Sequence, residues 1–141
     1  MPLLINFIKT TDEFIAGGKY NAQLRFAHAE TIAPFATLLG ISSADKVAAD
    51  LTKLNQVWQV GKVAPLSGNI QWILYQQKGS KNYLIKVLLN EKEMRITGLS
   101  TQNFPFYNWN DLKNFYLKKL ADWKINVDTD MDEYLKDLAV K

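Results

Sequence analysis

The stretch that decides the fold is residues 69–97, which read NIQWILYQQKGSKNYLIKVLLNEKEMRIT. Apolar side chains alternate along 69–77 and again along 83–89, the two-residue period of a β-strand. The polar, glycine-containing run 78–82 separates these two segments, and 90–92 forms a second tight turn before a short third strand at 93–97. The sequence therefore predicts a three-stranded antiparallel meander.

Helices are predicted on both sides of this meander. Residues 3–16 carry apolar side chains at helical spacing, and the predicted helix ends at Gly17 and Gly18. A second predicted helix ends at Gly40 and has one apolar face, formed by Ile32, Phe35, Ala36 and Leu39. Pro34 is tolerated because it lies near the first turn of this helix. Asn108 is a good N-cap for a third helix, whose apolar face runs from Trp109 to Trp123. The tail from Asp128 is acidic and allows a final short helix.

The segments between these elements complete the predicted topology. Residues 22–28 alternate as a short strand, with Leu24, Phe26 and His28 on one face and Arg25 on the other. Residues 42–54 are predicted as a polar helix and 57–63 as an irregular or extended stretch. The chain, 1–141, is thus expected to be a single α/β unit in which a strand–helix crossover precedes the meander.

Composition limits the functional classes. The net charge is +3 with a pI near 9.0, and the basic residues include no run with interleaved aromatics, so nucleic acid is not an expected partner. There is no cysteine, which excludes disulfides and thiol chemistry, and no apolar run long enough to span a membrane. Neither a cofactor motif nor a metal-ligand cluster is recognisable; the turn at 78–81 lacks the first glycine of a phosphate-binding loop.

One pair of residues is a candidate for catalysis. His28, the single histidine, ends the predicted first strand, and Glu30 follows at the entry to the next helix. Ligands of open α/β sheets bind at the carboxyl ends of strands, and a helix N-terminus suits phosphate. An imidazole there can contact a phosphate oxygen, and a carboxyl group can act as a general acid. The alternative is purely structural: a surface histidine, and a glutamate that favours the helix dipole.

Several motifs resemble one family of enzymes. Leu24-Arg25-Phe26-Ala27-His28-Ala29-Glu30-Thr31, followed by Pro34 and Leu38-Leu39-Gly40, resembles the C-terminal catalytic motif of the histidine acid phosphatases. The likeness is greatest to the multiple inositol-polyphosphate phosphatase branch, which is phytase-like and has His-Ala-Glu where many relatives have His-Asp. Residues 65–72, Tyr75, 85–93 and 106–109 resemble later parts of the same branch, so the resemblance runs from about residue 3 to residue 121.

The resemblance implies a partial histidine-phosphatase-type fold: a doubly wound sheet with an antiparallel meander and flanking helices. It also implies hydrolysis of phosphomonoesters, namely inositol phosphates or similar polyanions, through a phosphohistidine. In that chemistry Glu30 is the proton donor and His28 contacts the phosphate, whereas Arg25 is expected to form a structural salt bridge rather than to bind ligand. The resemblance implies that the full-length enzyme is secreted or periplasmic, although its localisation cannot be read from this chain.

The family's nucleophile is absent. It is a histidine in an Arg-His-Gly-x-Arg-x-Pro motif, and a chain with one histidine cannot contain both that residue and His28. The sequence is therefore expected to be the C-terminal part of a longer enzyme and inactive alone, with the missing N-terminal part as its partner. The alternative is a non-catalytic α/β ligand-binding or interaction module. If the chain is such a fragment, strand 22–28 lacks the neighbouring strand that delivers the nucleophile, which predicts that its exposed edge is masked by self-association or by rearrangement of residues 1–20.

Overall fold

The computed structural model describes residues 2–128 and Lys136, and it is a mixed α/β structure with an open antiparallel sheet and flanking helices. The predicted fold class is confirmed at this level, and the arrangement is compatible with a partial phosphatase-type fold. The helices are α1 (Pro2–Ile15), α2 (Ala29–Leu38), α3 (Leu54–Val57), α4 (Val60–Val63) and α5 (Trp109–Asp122), with a 3-10 turn at Leu51–Lys53. The strands are β1 (Ile70–Gln76), β2 (Tyr83–Leu89), β3 (Lys92–Glu93) and β4 (Tyr107–Asn108).

The described residues divide into two compact units. One consists of 2–23 together with 113–128 and Lys136, and the other of 24–112. That the whole chain behaves as a single domain remains a prediction. None of the described helices has the length and apolar character needed to cross a bilayer.

The sheet lies in the 24–112 unit and is organised around β2. Strand β1 pairs with β2 along its full length, from Ile70 opposite Leu89 to Gln76 opposite Tyr83. The other edge of β2 is shared, since β3 pairs near one end and β4 near the other. The predicted meander is thereby confirmed, but its third strand covers Lys92–Glu93 rather than 93–97, and β4 was not predicted at all.

One face of this sheet builds the core of the unit. The side chains of Ile85, Val87 and Leu89 are 0%, 1% and 4% exposed, as their alternation predicts. Tyr107 is also buried, and its hydroxyl accepts a hydrogen bond from the backbone N–H of Ile96 at 3.0 Å. Each buried polar group of this pair satisfies the other, so the core tolerates a tyrosine there.

The opposite face of the sheet is partly open and carries a charged cluster. Lys86 Nζ lies 2.9 Å from Glu93 Oε1 and about equally far, 5.3 and 5.4 Å, from the centroids of the Tyr75 and Phe106 rings. Hydrogen bonding to Glu93, and secondarily to Tyr75, raises the pKa of Lys86.

The predicted strand at 22–28 is wrong as a strand. These residues have no ladder partner, although the backbone at His28 is extended, with φ −90° and ψ 169°. Leu24 and Phe26 are 79% and 94% exposed. Alternation marks an extended segment, but a strand also needs a neighbour that supplies hydrogen bonds, and the described chain offers none.

Residues 42–63 also differ from their prediction. The polar helix expected at 42–54 is replaced by a turn, an irregular stretch and the 3-10 turn that Asp50 caps by accepting from the Thr52 N–H at 2.9 Å. The extended stretch expected at 57–63 contains helix α4 instead. Few side chains here are buried, so the segment lacks the packing against a core that stabilises most helices in proteins.

In the other unit, α1 follows its prediction closely. Leu4, Ile5 and Ile8 are buried, and the helix ends where Gly17 takes a φ of 108°. The backbone N–H of Gly18 then donates to the Glu13 carbonyl at 3.0 Å, the bond that closes a helix C-terminus through a left-handed residue.

The start of α5 is confirmed as well. Asn108 Oδ1 accepts a hydrogen bond from the Asn110 N–H at 2.9 Å, as an N-cap does. Further along the helix Tyr116 and Leu120 are fully buried. The short helix predicted for the tail from Asp128 lies outside the described residues, apart from Asp128 and Lys136.

Candidate functional site

The predicted site residues lie together at the start of α2. His28 is the N-cap residue, and its carbonyl accepts hydrogen bonds from the N–H groups of Thr31 at 2.9 Å and Ile32 at 3.2 Å. The first N–H groups of a helix have no carbonyl partner within it. The turn between His28 and Glu30 therefore presents backbone donors and the positive end of a ten-residue helix.

The side chains of His28 and Glu30 are both exposed at this end. The imidazole makes no capping hydrogen bond to the helix, so it is not used to close the helix N-terminus. Glu30 stands in the first turn, where a carboxylate favours the helix dipole. The structure thus brings the two predicted residues to one accessible surface, which suits either the catalytic or the purely structural interpretation; their roles remain predictions.

Helix α2 is held in place by its other face. Ala33, Phe35 and Ala36 are buried, and Gly40 ends the helix with a φ of 71°. Immediately afterwards Ile41 forms a β-bridge with Ile96. The apolar anchor leaves the opposite face, which includes Glu30, open to solvent.

Pro34 sits deeper in α2 than its prediction allowed. Because the helix begins at Ala29, the proline falls in the second turn rather than the first. It supplies no N–H to the carbonyl of Glu30, four residues earlier.

Arg25 lies three residues before His28 and is half-buried. Burial lowers the pKa of its guanidinium by removing water from the charged group. Arg25 interacts with another group in the structure. That this interaction is the expected structural salt bridge remains a prediction.

Sequence reasoning missed a pocket of about 230 Å³ elsewhere in the 24–112 unit. Its lining residues come from two separate segments and are Ser43, Lys46, Gln56, Val57, Gln59, Lys62 and Val63. No sequence motif marks these positions. The only advance signal was the mixture of lysine and amide side chains in a segment without strong periodicity.

Comparison with curated proteins gives a partial match. No protein-family model matches the chain. The human protein named multiple inositol polyphosphate phosphatase 1 is 32% identical over 103 residues, an alignment that covers 66% of this chain and 20% of the relative. The chain thus spans about a fifth of the length of the curated relative that it matches. Across 66% of its own length, the chain is distantly similar to an inositol polyphosphate phosphatase.

Proposed function

We propose that this chain supplies the proton-donor part of the active site of a phosphomonoester hydrolase. The enzyme is of the histidine acid phosphatase type and acts on inositol phosphates or similar polyanionic esters. His28 contacts the phosphoryl group that is transferred, and Glu30 protonates the leaving alcohol. The observation that carries the proposal is the exposed pair His28 and Glu30 at the N-terminus of α2, in a chain related to an inositol polyphosphate phosphatase. That the full-length enzyme is secreted or periplasmic rests on the family resemblance alone.

The roles follow from charge. A phosphate monoester carries negative charge that the helix N-terminus and the imidazole of His28 both stabilise. As the ester P–O bond breaks, the leaving oxygen gains charge, and transfer of the proton from the Glu30 carboxylic acid to that oxygen releases a neutral alcohol. In the second step the water oxygen bonds to phosphorus as the P–N bond to the nucleophilic histidine breaks, and the Glu30 carboxylate takes the proton from that water, so that inorganic phosphate and the free histidine are released.

The nucleophile must come from another part of the enzyme. A phosphohistidine forms when a histidine nitrogen bonds to phosphorus and the leaving alcohol departs. The single histidine of this sequence is already assigned to phosphate contact. The proposal therefore requires a second histidine, supplied by a segment outside these 141 residues, and that segment is the partner this chain needs.

The first test is activity of the chain alone. We expect no hydrolysis of p-nitrophenyl phosphate or inositol hexakisphosphate above background, because no nucleophile is present. Turnover by the pure chain that His28→Ala abolishes would contradict the two-histidine mechanism.

The second test uses the full-length enzyme that contains this chain. Glu30→Gln should slow phosphoryl transfer by about 10²–10⁴-fold, the usual loss on removing a general acid. The loss should be smaller for esters with good leaving groups, which need less protonation. Glu13→Gln, a matched change at an exposed glutamate of α1, should leave the rate unchanged. Equal losses for good and poor leaving groups would remove Glu30 from the acid role.

The alternative is a non-catalytic α/β module that binds a ligand or a protein, favoured by the presence of only one histidine. The two functions differ in what the gene encodes before Met1. An Arg-His-Gly motif there supports the enzyme, whereas its absence from the full-length protein supports the binding module.

A further inference from the structure

We propose that the pocket formed by residues 43–46 and 56–63 binds a phosphate group, at a site separate from His28 and Glu30. The inference goes beyond the proposed function and does not depend on it, because none of the pocket residues belongs to the candidate catalytic motif.

The chemistry of the lining favours an anion. The exposed Lys46 and Lys62 provide two ammonium groups, Gln56 provides amide N–H donors, and Ser43 provides a hydroxyl. The amide nitrogen of Gln59 donates one hydrogen bond to the Asn55 carbonyl at 2.7 Å and keeps its second N–H for a ligand. No carboxylate is among the lining residues. Within the part of the chain that the structure describes, neither lysine forms an ion pair with an acidic side chain. Two cations with no acidic counterpart match a doubly charged oxyanion better than a neutral or cationic ligand.

The walls of the pocket are fixed by hydrogen bonds to the backbone. The indole N–H of Trp58 donates to the Ala44 carbonyl at 2.9 Å, which joins the two segments that form the pocket. The Thr37 hydroxyl donates to the same carbonyl at 2.9 Å and ties it to α2. On the other side, Asn90 Nδ2 donates to the Val63 carbonyl at 3.1 Å. A site that is already ordered loses less conformational entropy when a ligand binds.

The size of the pocket restricts the ligand. Its volume of about 230 Å³ lies below the range of ~300–1,000 Å³ that suits drug-sized molecules. Val57 and Val63 add a small apolar part to the lining. The pocket therefore suits a single phosphate group, either as inorganic phosphate or as one phosphate of a larger ester whose remainder stays in solvent.

The test is a titration of the full chain with inorganic phosphate, followed by the backbone amide resonances in ¹H–¹⁵N spectra. We expect saturable shifts concentrated in 43–46 and 56–63, at constant ionic strength. The double variant Lys46→Gln with Lys62→Gln should weaken this binding at least tenfold. The matched control, Lys78→Gln with Lys81→Gln, removes the same charge from the exposed turn between β1 and β2 and should leave the affinity unchanged.

A parallel titration with inositol hexakisphosphate distinguishes the two sources of the phosphate group. Lysine-dependent shifts at the pocket with this ester alone would support the proposal and identify the ester as the ligand. Saturable shifts with neither compound, or equal weakening by both double variants, would overturn it. His28→Ala should not change the pocket shifts; their loss in that variant would show that the two sites are not separate. Failure of Glu30 as an acid would leave all these outcomes unaffected.

Discussion

Removal of the Asn90 side chain should destabilise the 24–112 unit and loosen the wall of the lysine-lined pocket. Asn90 Oδ1 accepts a hydrogen bond from the Asn69 N–H at 3.0 Å, and Nδ2 donates to the carbonyls of Lys62 at 3.3 Å and Val63 at 3.1 Å. One side chain therefore joins the β2–β3 turn to the start of β1 and to α4. The variant to use is Asn90→Gly, because residue 90 has a φ of 51° and glycine adopts that conformation without strain.

The expected loss in the free energy of unfolding follows from how deeply the three hydrogen bonds are buried. The bonds to the Asn69 N–H and the Val63 carbonyl are partly buried, whereas the bond to the Lys62 carbonyl is exposed and water can replace it. A typical hydrogen bond contributes about 0.5–1.5 kcal/mol net, so the two partly buried bonds contribute about 1–3 kcal/mol together. A glycine also adds about 0.4–1 kcal/mol of unfolded-state entropy, which has to be subtracted.

The assay is urea unfolding followed by tryptophan fluorescence, with the free energy of unfolding extrapolated to water. The control is Asn82→Gly, in the β1–β2 turn, where the hydrogen bond to Ser80 Oγ is made by the backbone N–H and survives the change. We expect Asn90→Gly to lose about 1–3 kcal/mol more than Asn82→Gly. Equal losses in the two variants would refute the reasoning, because they would show that the Asn90 bonds contribute nothing beyond what water supplies.

Three further outcomes can be checked. Tyr107→Phe should cost about 1–3 kcal/mol in urea unfolding, because it leaves the buried N–H of Ile96 without its acceptor; an unchanged midpoint would mean that the N–H finds another partner. Hydrogen bonds from the Thr52 hydroxyl, and secondarily from its N–H, lower the pKa of Asp50, so Thr52→Val should raise that pKa in a carboxyl ¹³C titration; no movement would assign the shift to the backbone bond. The exposed segment around Phe26 should drive concentration-dependent self-association in light scattering, weakened by Phe26→Asp, and a monomer at all concentrations would contradict this.

Part of this fold could be predicted because the information is local. The end of α1 depends on a glycine that can take a positive φ, and the start of α5 depends on one amide that caps its own helix. The register of β1 and β2 follows from two alternating segments joined by a short turn, since a slip by one residue would turn the apolar side chains to the wrong face. The position of His28 and Glu30 at a helix N-terminus followed from the same kind of local signal.

The sequence by itself thus determined the long periodic elements, their caps and turns, and the position of His28 and Glu30 at the start of α2. Only the tertiary structure decided that β4 pairs with β2, that 22–28 stays unpaired, and that 43–46 and 56–63 enclose a pocket. A two-residue strand is too short to show a period, an extended segment becomes a strand only when another strand lies beside it, and a pocket requires side chains that are distant in sequence to meet. These features depend on contacts between segments, and such contacts cannot be predicted from the residue pattern of any single segment.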